Sequence, residues 1–289
     1  MLAPVISFIN MKGGVGKTTL CISVADYLAN TLKKSVLVID IDPQFNATQS
    51  FLNKYDRIEE YLSELKPNKK TIRSIFEVPT QVMERAKTAS KDDVIINLAD
   101  NLDMILGDLD IIFDTGSESI RVHKVQRFIQ DHNLRNHYDY ILIDSPPTIS
   151  LFTDAALIAS DYYLVPVKID HYSVLGAASL ISVVENLKFN YSHTIKPLGF
   201  VYTNTDNTLT DKTKGIKEEF ESMQKSHNIK DDLYYFTSRL SHVRDLMVGV
   251  QGNIASSYSK SRTDIRSICY ELIERINVLE EGKNGNQQI

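Results

Sequence analysis

Two lysines and three glycines fall in one short run, Lys12-Gly13-Gly14-Val15-Gly16-Lys17, and two hydroxyls, Thr18 and Thr19, follow directly. Such a run is suited to one kind of chemistry. Small residues let backbone N–H groups converge on an anion, and a helix that opens there adds the positive end of its dipole. Lys17 is then placed to reach the β- and γ-phosphates of a nucleotide, and the Thr18 hydroxyl to ligand Mg2+. The usual form of such a loop, G-x-x-x-x-G-K-[ST], fits at Gly16, Lys17 and Thr18. It asks for glycine at position 11, where Met11 stands, and has no assigned place for Lys12.

Carboxylates suited to the metal close two apolar runs. "VLVIDIDPQFNAT" sets Asp40 at a strand tip and Asp42 two residues on, and "YDYILIDSPPT" sets Asp144 at the end of another strand. Asp42 before Pro43, or Asp144 before Ser145-Pro146-Pro147, would by itself read as a turn former. In a chain that carries a phosphate loop, an aspartate at such a strand tip commonly orders the Mg2+ shell.

The elements that position these residues follow from hydrophobic patterning. Apolar runs at 5–9, 35–40, 102–106, 138–144, 162–167, 198–203 and 233–236 do not alternate with polar residues, which predicts strands covered on both faces. Helical periodicity lies between most of them, at Lys17–Asn30, Arg121–Asn133, Val174–Phe189 and Asp211–Lys225, with a short helix expected at Thr71–Glu77. This alternation predicts an α/β fold, a doubly wound, mostly parallel β-sheet flanked by helices. A last helix over Ser259–Leu279 places Ile265, Ile268, Cys269, Leu272, Ile276 and Leu279 on one docking face. Residues 1–280 are expected to form one domain, and the polar residues 281–289 a disordered tail.

Composition narrows the class. Of 289 residues, 43% are hydrophobic and 24% charged, which excludes a disordered or fibrous chain. No apolar run is long enough to span a membrane, and the start lacks a basic leader, so a cytoplasmic protein is expected. Cys21 and Cys269 stand far apart without a ligand cluster and read as small buried hydrophobes. Residues 181–289 carry equal numbers of basic and acidic residues, so the net charge of −5 belongs to residues 1–180. Bulk charge therefore gives nucleic-acid binding no support, although a local basic face remains open.

"KGGVGKTT" at 12–19, "DIDPQ" at 40–44 and "ILIDSPP" at 141–147 together resemble the deviant Walker A ATPases, the ParA/MinD/Soj group. The similarity extends through "NLDMILGDLDI", "DAALIASDYYLVPVKIDHYSVLGAASL" and "GFVYTN". The resemblance implies a P-loop fold with ATP and Mg2+. It implies that Lys12 is the signature lysine, crossing a sandwich homodimer to the partner's phosphates. It implies ATP contacts from Lys12, Gly13, Gly14, Val15, Gly16, Lys17, Thr18 and Thr19, with metal coordination from Thr18, Asp40 and Asp144. Asp42 would position the attacking water and Asp40 would order the metal shell, roles the sequence leaves exchangeable. Asn204 matches a position that presents an amide to adenine, near the base loop at 166–172.

Partners separate the branches of this group. No cysteines are placed for an interfacial iron–sulfur cluster, and the end "LEEGKNGNQQI" lacks a basic amphipathic membrane helix. The chain most resembles the ParA/Soj partition branch, which binds DNA non-specifically, localises to the nucleoid and hydrolyses ATP slowly until a ParB-like centromere-binding partner stimulates it. Arg239, Arg244, Lys188, Lys260, Arg262 and Arg266 are the candidate DNA contacts. With no room for a helix-turn-helix before the first strand, the short partition ATPases are the expected match. A MinD-like membrane-associated ATPase and a metabolic ATP-dependent enzyme are the rival readings.

Overall fold

The computed structural model describes residues 2–77, 89–114, 117–206, 208–226, 233–249 and 252–285. Its strands are β1 (Val5–Phe8), β2 (Val36–Asp40), β3 (Ile95–Ala99), β4 (Leu102–Ile105), β5 (Tyr140–Asp144), β6 (Tyr162–Val167), β7 (Lys196–Thr205) and β8 (Tyr235–Ser241). They form an eight-stranded sheet in the order β3-β4-β2-β5-β1-β6-β7-β8. All neighbours are parallel except β3, which pairs antiparallel with β4. The helices used below are α1 (Lys17–Asp26), α2 (Asn46–Lys54), α3 (Ile72–Phe76), α4 (Lys124–Asp131), α5 (Leu151–Ala159), α6 (His171–Tyr191), α7 (Asp211–Ser226), α8 (Arg244–Val248) and α9 (Ser259–Gly285). The expected doubly wound, mostly parallel sheet is what the chain forms.

Alternate residues of each central strand point to opposite faces, and each face is covered. Val5, Leu37, Ile39, Ile141 and Ile143 pack with residues of α3, α4, α5, α6 and α7. Ile6, Phe8, Val36, Val38 and Leu142 pack with α1, α2 and α9. Two-sided burial is why these strands read as continuous apolar runs; burying one such side chain contributes about 1.5–3 kcal/mol. Cys21 and Cys269 are free thiols within the second core, as their sequence context predicts.

Three differences from the sequence expectations have physical causes. β3 has no counterpart among the expected strands: it is an edge strand, half exposed along most of its length, joined to β4 by the short turn at Asp100-Asn101. β8 continues beyond residue 236 to Ser241, so Arg239 lies in a strand. α9 runs on to Gly285, so the first residues of the expected disordered tail are helical; Leu279, Glu280 and Glu281 are good helix formers, and Glu280 accepts a hydrogen bond from the Tyr162 hydroxyl. Residues 286–289 lie outside the described residues.

Candidate nucleotide site

β1 sits between β5 and β6, so the strand order reverses beside it, and the carboxyl ends of β1, β2, β5 and β6 open on one crevice. Ligands of doubly wound sheets bind at such a reversal. The loop from β1 to α1 fills it. Gly14 and Gly16 take φ of 72° and 82°, left-handed values that favour glycine and turn the backbone into α1. Two side chains tie the loop to distant strands: Asn10, at its start, donates Nδ2 to Pro166 O of β6 (2.8 Å) while its Oδ1 accepts from Lys12 N (2.9 Å), and Thr203 Oγ1 of β7 donates to Val15 O (2.6 Å). A backbone fixed by β6 and β7 can hold its N–H groups ready for an anion.

A cleft of about 240 Å³ lies over this loop. Gly13, Gly14, Gly16, Lys17, Thr18 and Thr19 line it, with Asp42, Gln44 and Asn46 from the β2–α2 region, Pro147 and Asn253. Lys17 is buried, its Nζ 3.3 Å from Lys12 O. Burial lowers its pKa, while the charges of Asp144 and Asp42 act in the opposite sense. Gln44, Asn46, Pro147 and Asn253 were not singled out from sequence, because only the fold brings their loops to the cleft.

The carboxylates separate by environment. Asp42 lines the cleft, its Oδ1 accepting from Gln44 N (2.9 Å). Asp40 is fully buried behind it, its Oδ2 accepting from Thr48 N and Thr48 Oγ1 at 2.8 Å each, its Oδ1 from Asp42 N at 3.3 Å. Asp144 Oδ2 accepts from Thr18 Oγ1 (2.7 Å), and its Oδ1 is buried without a hydrogen-bond partner. Burial, with Asp42 adding like charge, raises the Asp40 pKa to about 7. Burial and the neighbouring Asp40 raise that of Asp144 well above the carboxylate range. Burial also raises Asp42.

These residues fit a divalent cation. The orphaned Asp144 Oδ1 beside the Thr18 hydroxyl is an unsatisfied oxygen donor, and the three acidic groups exceed the charge of Lys17. Among the described residues no three acidic, His or Cys side chains converge as a metal cage. Mg2+ characteristically takes one or two protein oxygens and completes its shell with water and substrate phosphates.

Lys12 does not line its own cleft. Its Nζ donates to Asp170 Oδ1 (2.7 Å) and Oδ2 (2.9 Å) and to Ser173 Oγ (3.1 Å), and lies 5.8 Å from the centre of the Tyr172 ring. Asp170 also caps α6, accepting from Ser173 N (2.8 Å). Burial opposes the charge of Asp170, but the bonds from Lys12 and Ser173 outweigh it and hold its pKa low. Asn204 stands apart from the cleft lining: it is the last but one residue of β7, with a left-handed φ of 54°, and its Oδ1 pairs with His242 Nδ1.

A family model described as an AAA domain matches residues 3–196. Chromosome partitioning protein ParA of Myxococcus xanthus is 30% identical over 206 residues, 70% of this chain and 65% of that one. This chain belongs to the ParA/Soj-type P-loop ATPases. An uncharacterized protein of Methanocaldococcus jannaschii is 32% identical over 203 residues, 68% of this chain and 72% of its own. Among solved structures, apo McdA from Cyanthece superposes with a TM-score of 0.73 at 20% identity, over 93% of this chain and 99% of that one. Cobyrinic acid a,c-diamide synthase from Mycobacterium smegmatis, with bound ATP analog and magnesium, superposes with a TM-score of 0.70 at 18% identity, over 94% of each chain. These two likenesses show a shared fold.

In this ParA/Soj-type ATPase the six basic residues singled out from sequence do not form one surface. Lys188 pairs with Glu185 (2.8 Å) on α6, which packs on the opposite face of the sheet from α9. Arg239 is half-buried in β8 and already engaged. Arg244 is exposed at the start of α8, and Lys260 Nζ lies 3.5 Å from the carbonyl oxygen of His242, two residues before it. Arg262 and Arg266 border a separate cavity on α9.

Proposed function

We propose that the protein is a Mg2+-ATP-dependent ATPase that closes as a homodimer around two nucleotides, holds DNA non-specifically in that state, and lets go when a ParB-like partner stimulates hydrolysis. The observation that carries this reading is the placement of the two loop lysines. Lys17 faces its own cleft, whereas Lys12 points away from it, to the α6 N-terminus. A cation so placed serves a nucleotide other than its own. Phosphoryl transfer is largely positioning and charge stabilisation, so a lysine supplied by a second subunit ties hydrolysis to dimerisation. Ile112, Phe113, Ile149 and Tyr172, after β4, β5 and β6, are 49–78% exposed around the same end of the sheet. An exposed apolar rim of that kind is suited to a partner subunit.

In this reading Gly13, Gly14, Val15 and Gly16 bind phosphate through backbone N–H groups, and Lys17 neutralises it. Thr18 and Asp144 hold Mg2+, which shields phosphate charge when bound. Asp42, the carboxylate on the cleft, orients the attacking water, while buried Asp40 fixes Thr48 and the start of α2. The geometry thus favours Asp42 over Asp40 for the water. Arg244 and Lys260 make DNA-phosphate contacts; Asn204 meets adenine only if its bond to His242 opens.

The test is DNA retardation with ATP or ADP at two salt concentrations, for the wild type and Lys12→Ala. Expected is retention with ATP only, weakened by salt because phosphate contacts release counterions, and lost in the variant. Retention independent of nucleotide, or none in any condition, would overturn the DNA reading. A requirement for a small co-substrate in turnover would favour a metabolic enzyme, and co-sedimentation with anionic liposomes a membrane-positioning ATPase. Among the described residues no helix is long and apolar enough to cross a membrane.

A further inference from the structure

A cavity of about 560 Å³ opens at the far end of α1 from the phosphate loop, between α1, α2 and α9. This volume falls within the range of small-molecule sites, roughly 300–1,000 Å³. Its floor is polar and its rim cationic. Asp26, 5% exposed, accepts from Asn30 Nδ2 (2.7 Å), Lys54 Nζ and Ser256 Oγ, so its charge is matched inside the floor. The rim arginines are not matched. Arg262 donates Nε to Ser256 O (2.7 Å), and Arg266 rests 5.8 Å from the Tyr270 ring centre. Neither guanidinium has an acidic partner among the described residues. They stand one helical turn apart, on one face of α9. Tyr27, also 5% exposed, lines the cavity, and its hydroxyl bonds to no described residue.

Unpaired guanidiniums present planar forks of N–H donors that match phosphate oxygens. A single phosphate group would leave most of this cavity empty, and the tyrosines Tyr27 and Tyr55 supply flat apolar surface beside the arginines. We propose that the cavity is a second ligand site that takes a phosphorylated small molecule of mononucleotide size, held at its phosphate by Arg262 and Arg266.

The site is wired to the phosphate loop. α1 leaves the loop at Lys17 and delivers Asp26 to the cavity floor, about 15 Å away. Residues 252–257 span the same interval on the outside: Asn253 lines the nucleotide cleft, Ala255 N donates to Ser23 Oγ (2.7 Å), and Ser256 is bonded to Asp26. A ligand that draws Arg262 toward its phosphate also pulls on Ser256 and so on Asn253. Occupancy therefore changes nucleotide affinity at the phosphate loop, a coupling that rests on the ATPase reading; occupancy itself does not.

The experiment is calorimetric titration of the full chain with AMP, inorganic phosphate and a short single-stranded oligonucleotide. It is run on wild type saturated with Mg-ADP, on Lys17→Ala, on Arg262→Ala/Arg266→Ala and on Tyr27→Phe, with thermal melts to verify folding. Expected is one AMP per chain on the loaded wild type, retained in Lys17→Ala and weakened at least ~10-fold by the double substitution, as for loss of charge-assisted hydrogen bonds. Tyr27→Phe, which removes only the hydroxyl, should weaken it by a smaller factor. AMP that fails to bind the loaded wild type, or binds the double variant equally well, overturns the site. Phosphate binding as tightly as AMP overturns the assigned ligand size. Binding of the oligonucleotide alone makes the rim part of a DNA surface and overturns the small-ligand assignment. AMP should also shift the Mg-ADP midpoint in wild type and not in the double variant; an unchanged midpoint removes the coupling. A chain that binds no Mg-ATP would defeat the ATPase reading, while the Lys17→Ala titration would still report on the cavity.

Discussion

Lys12 and Asp170 form a pair about one-third exposed, a class of ion pair worth at most about 1 kcal/mol. Such a bond holds the lysine in place yet yields to a phosphate, a stronger partner for an ammonium. If Lys12 must leave Asp170 to reach a second subunit, Asp170→Asn should increase ATP-driven dimerisation, lowering the midpoint concentration in sedimentation by up to ~5-fold for each of the two pairs that a homodimer breaks. A higher midpoint would mean that Asp170 works within the dimer. Asp42→Asn should keep Mg-ATP binding and lose hydrolysis by about 100-fold or more in phosphate release, the usual scale for a group that handles the attacking water. A variant that turns over normally would remove Asp42 from the chemistry. Lys12, Lys17 and Thr18 were legible in sequence because a phosphate loop is contiguous and its glycines are diagnostic. Asp170 was not, since it lies 158 residues from Lys12 and meets it only because β6 pairs with β1.

At the scale of elements, the β2–α2 connection and the end of β4 are locked together, which bears on how Asp42 is aimed. Thr48 Oγ1 donates to Asp40 and accepts from Gly107 N (2.7 Å), and Tyr61 donates its hydroxyl to Gly107 O (2.9 Å). A Cβ at Gly107 would lie 2.7 Å from Phe45 Cβ and 2.9 Å from Asp40 Cγ. Gly107→Ala should therefore lower stability by about 1–3 kcal/mol, the cost of overpacking a filled site, read from urea denaturation. It should also weaken Mg-ATP binding, because Phe45 and Asp40 flank Asp42; unchanged stability would show that the β2–α2 turn moves freely. Gly107 carried no signal in sequence, since its constraint comes from a neighbouring strand. The same reasoning explains which strands could be read. β1, β2, β5 and β6 are buried on both faces and show as apolar runs, whereas β3, an edge strand with exposed positions, resembles a loop. The contact face of α9 was legible through its helical spacing, but its far end was not, because the polar residues that extend it also suit a tail.

The whole molecule stores unfavourable charge at the crevice, and this makes its stability depend on pH in a definite sense. Asp40 releases its proton at about pH 7 in the folded chain, against 3.8 as its ordinary value, and Asp144 is shifted the same way. Between those values the folded state binds more protons than the unfolded state, so stability must fall as pH rises through the window and recover on acidification. One such carboxylate contributes about 1.4 kcal/mol per pH unit within the window. Carboxylates shifted in the opposite direction, such as Asp170 and Glu271, begin to cost stability only as pH falls below their ordinary values, 3.8 and 4.5, so they do not mask the crevice above pH 5, where Asp154, raised by burial, acts in the same sense as Asp40 and Asp144. In EDTA without nucleotide, the melting temperature should thus decrease from pH 5 to pH 8. With saturating Mg-ADP the slope should flatten, because a cation held by Thr18 and Asp144 offsets the charge that protons would otherwise neutralise. A slope unchanged by Mg-ADP would show that the crevice carboxylates do not hold the metal. Thr18→Ala gives an independent check: it removes a hydroxyl donor that lowers the Asp144 pKa, so it should extend the metal-free fall to higher pH and retain more of it when Mg-ADP is added.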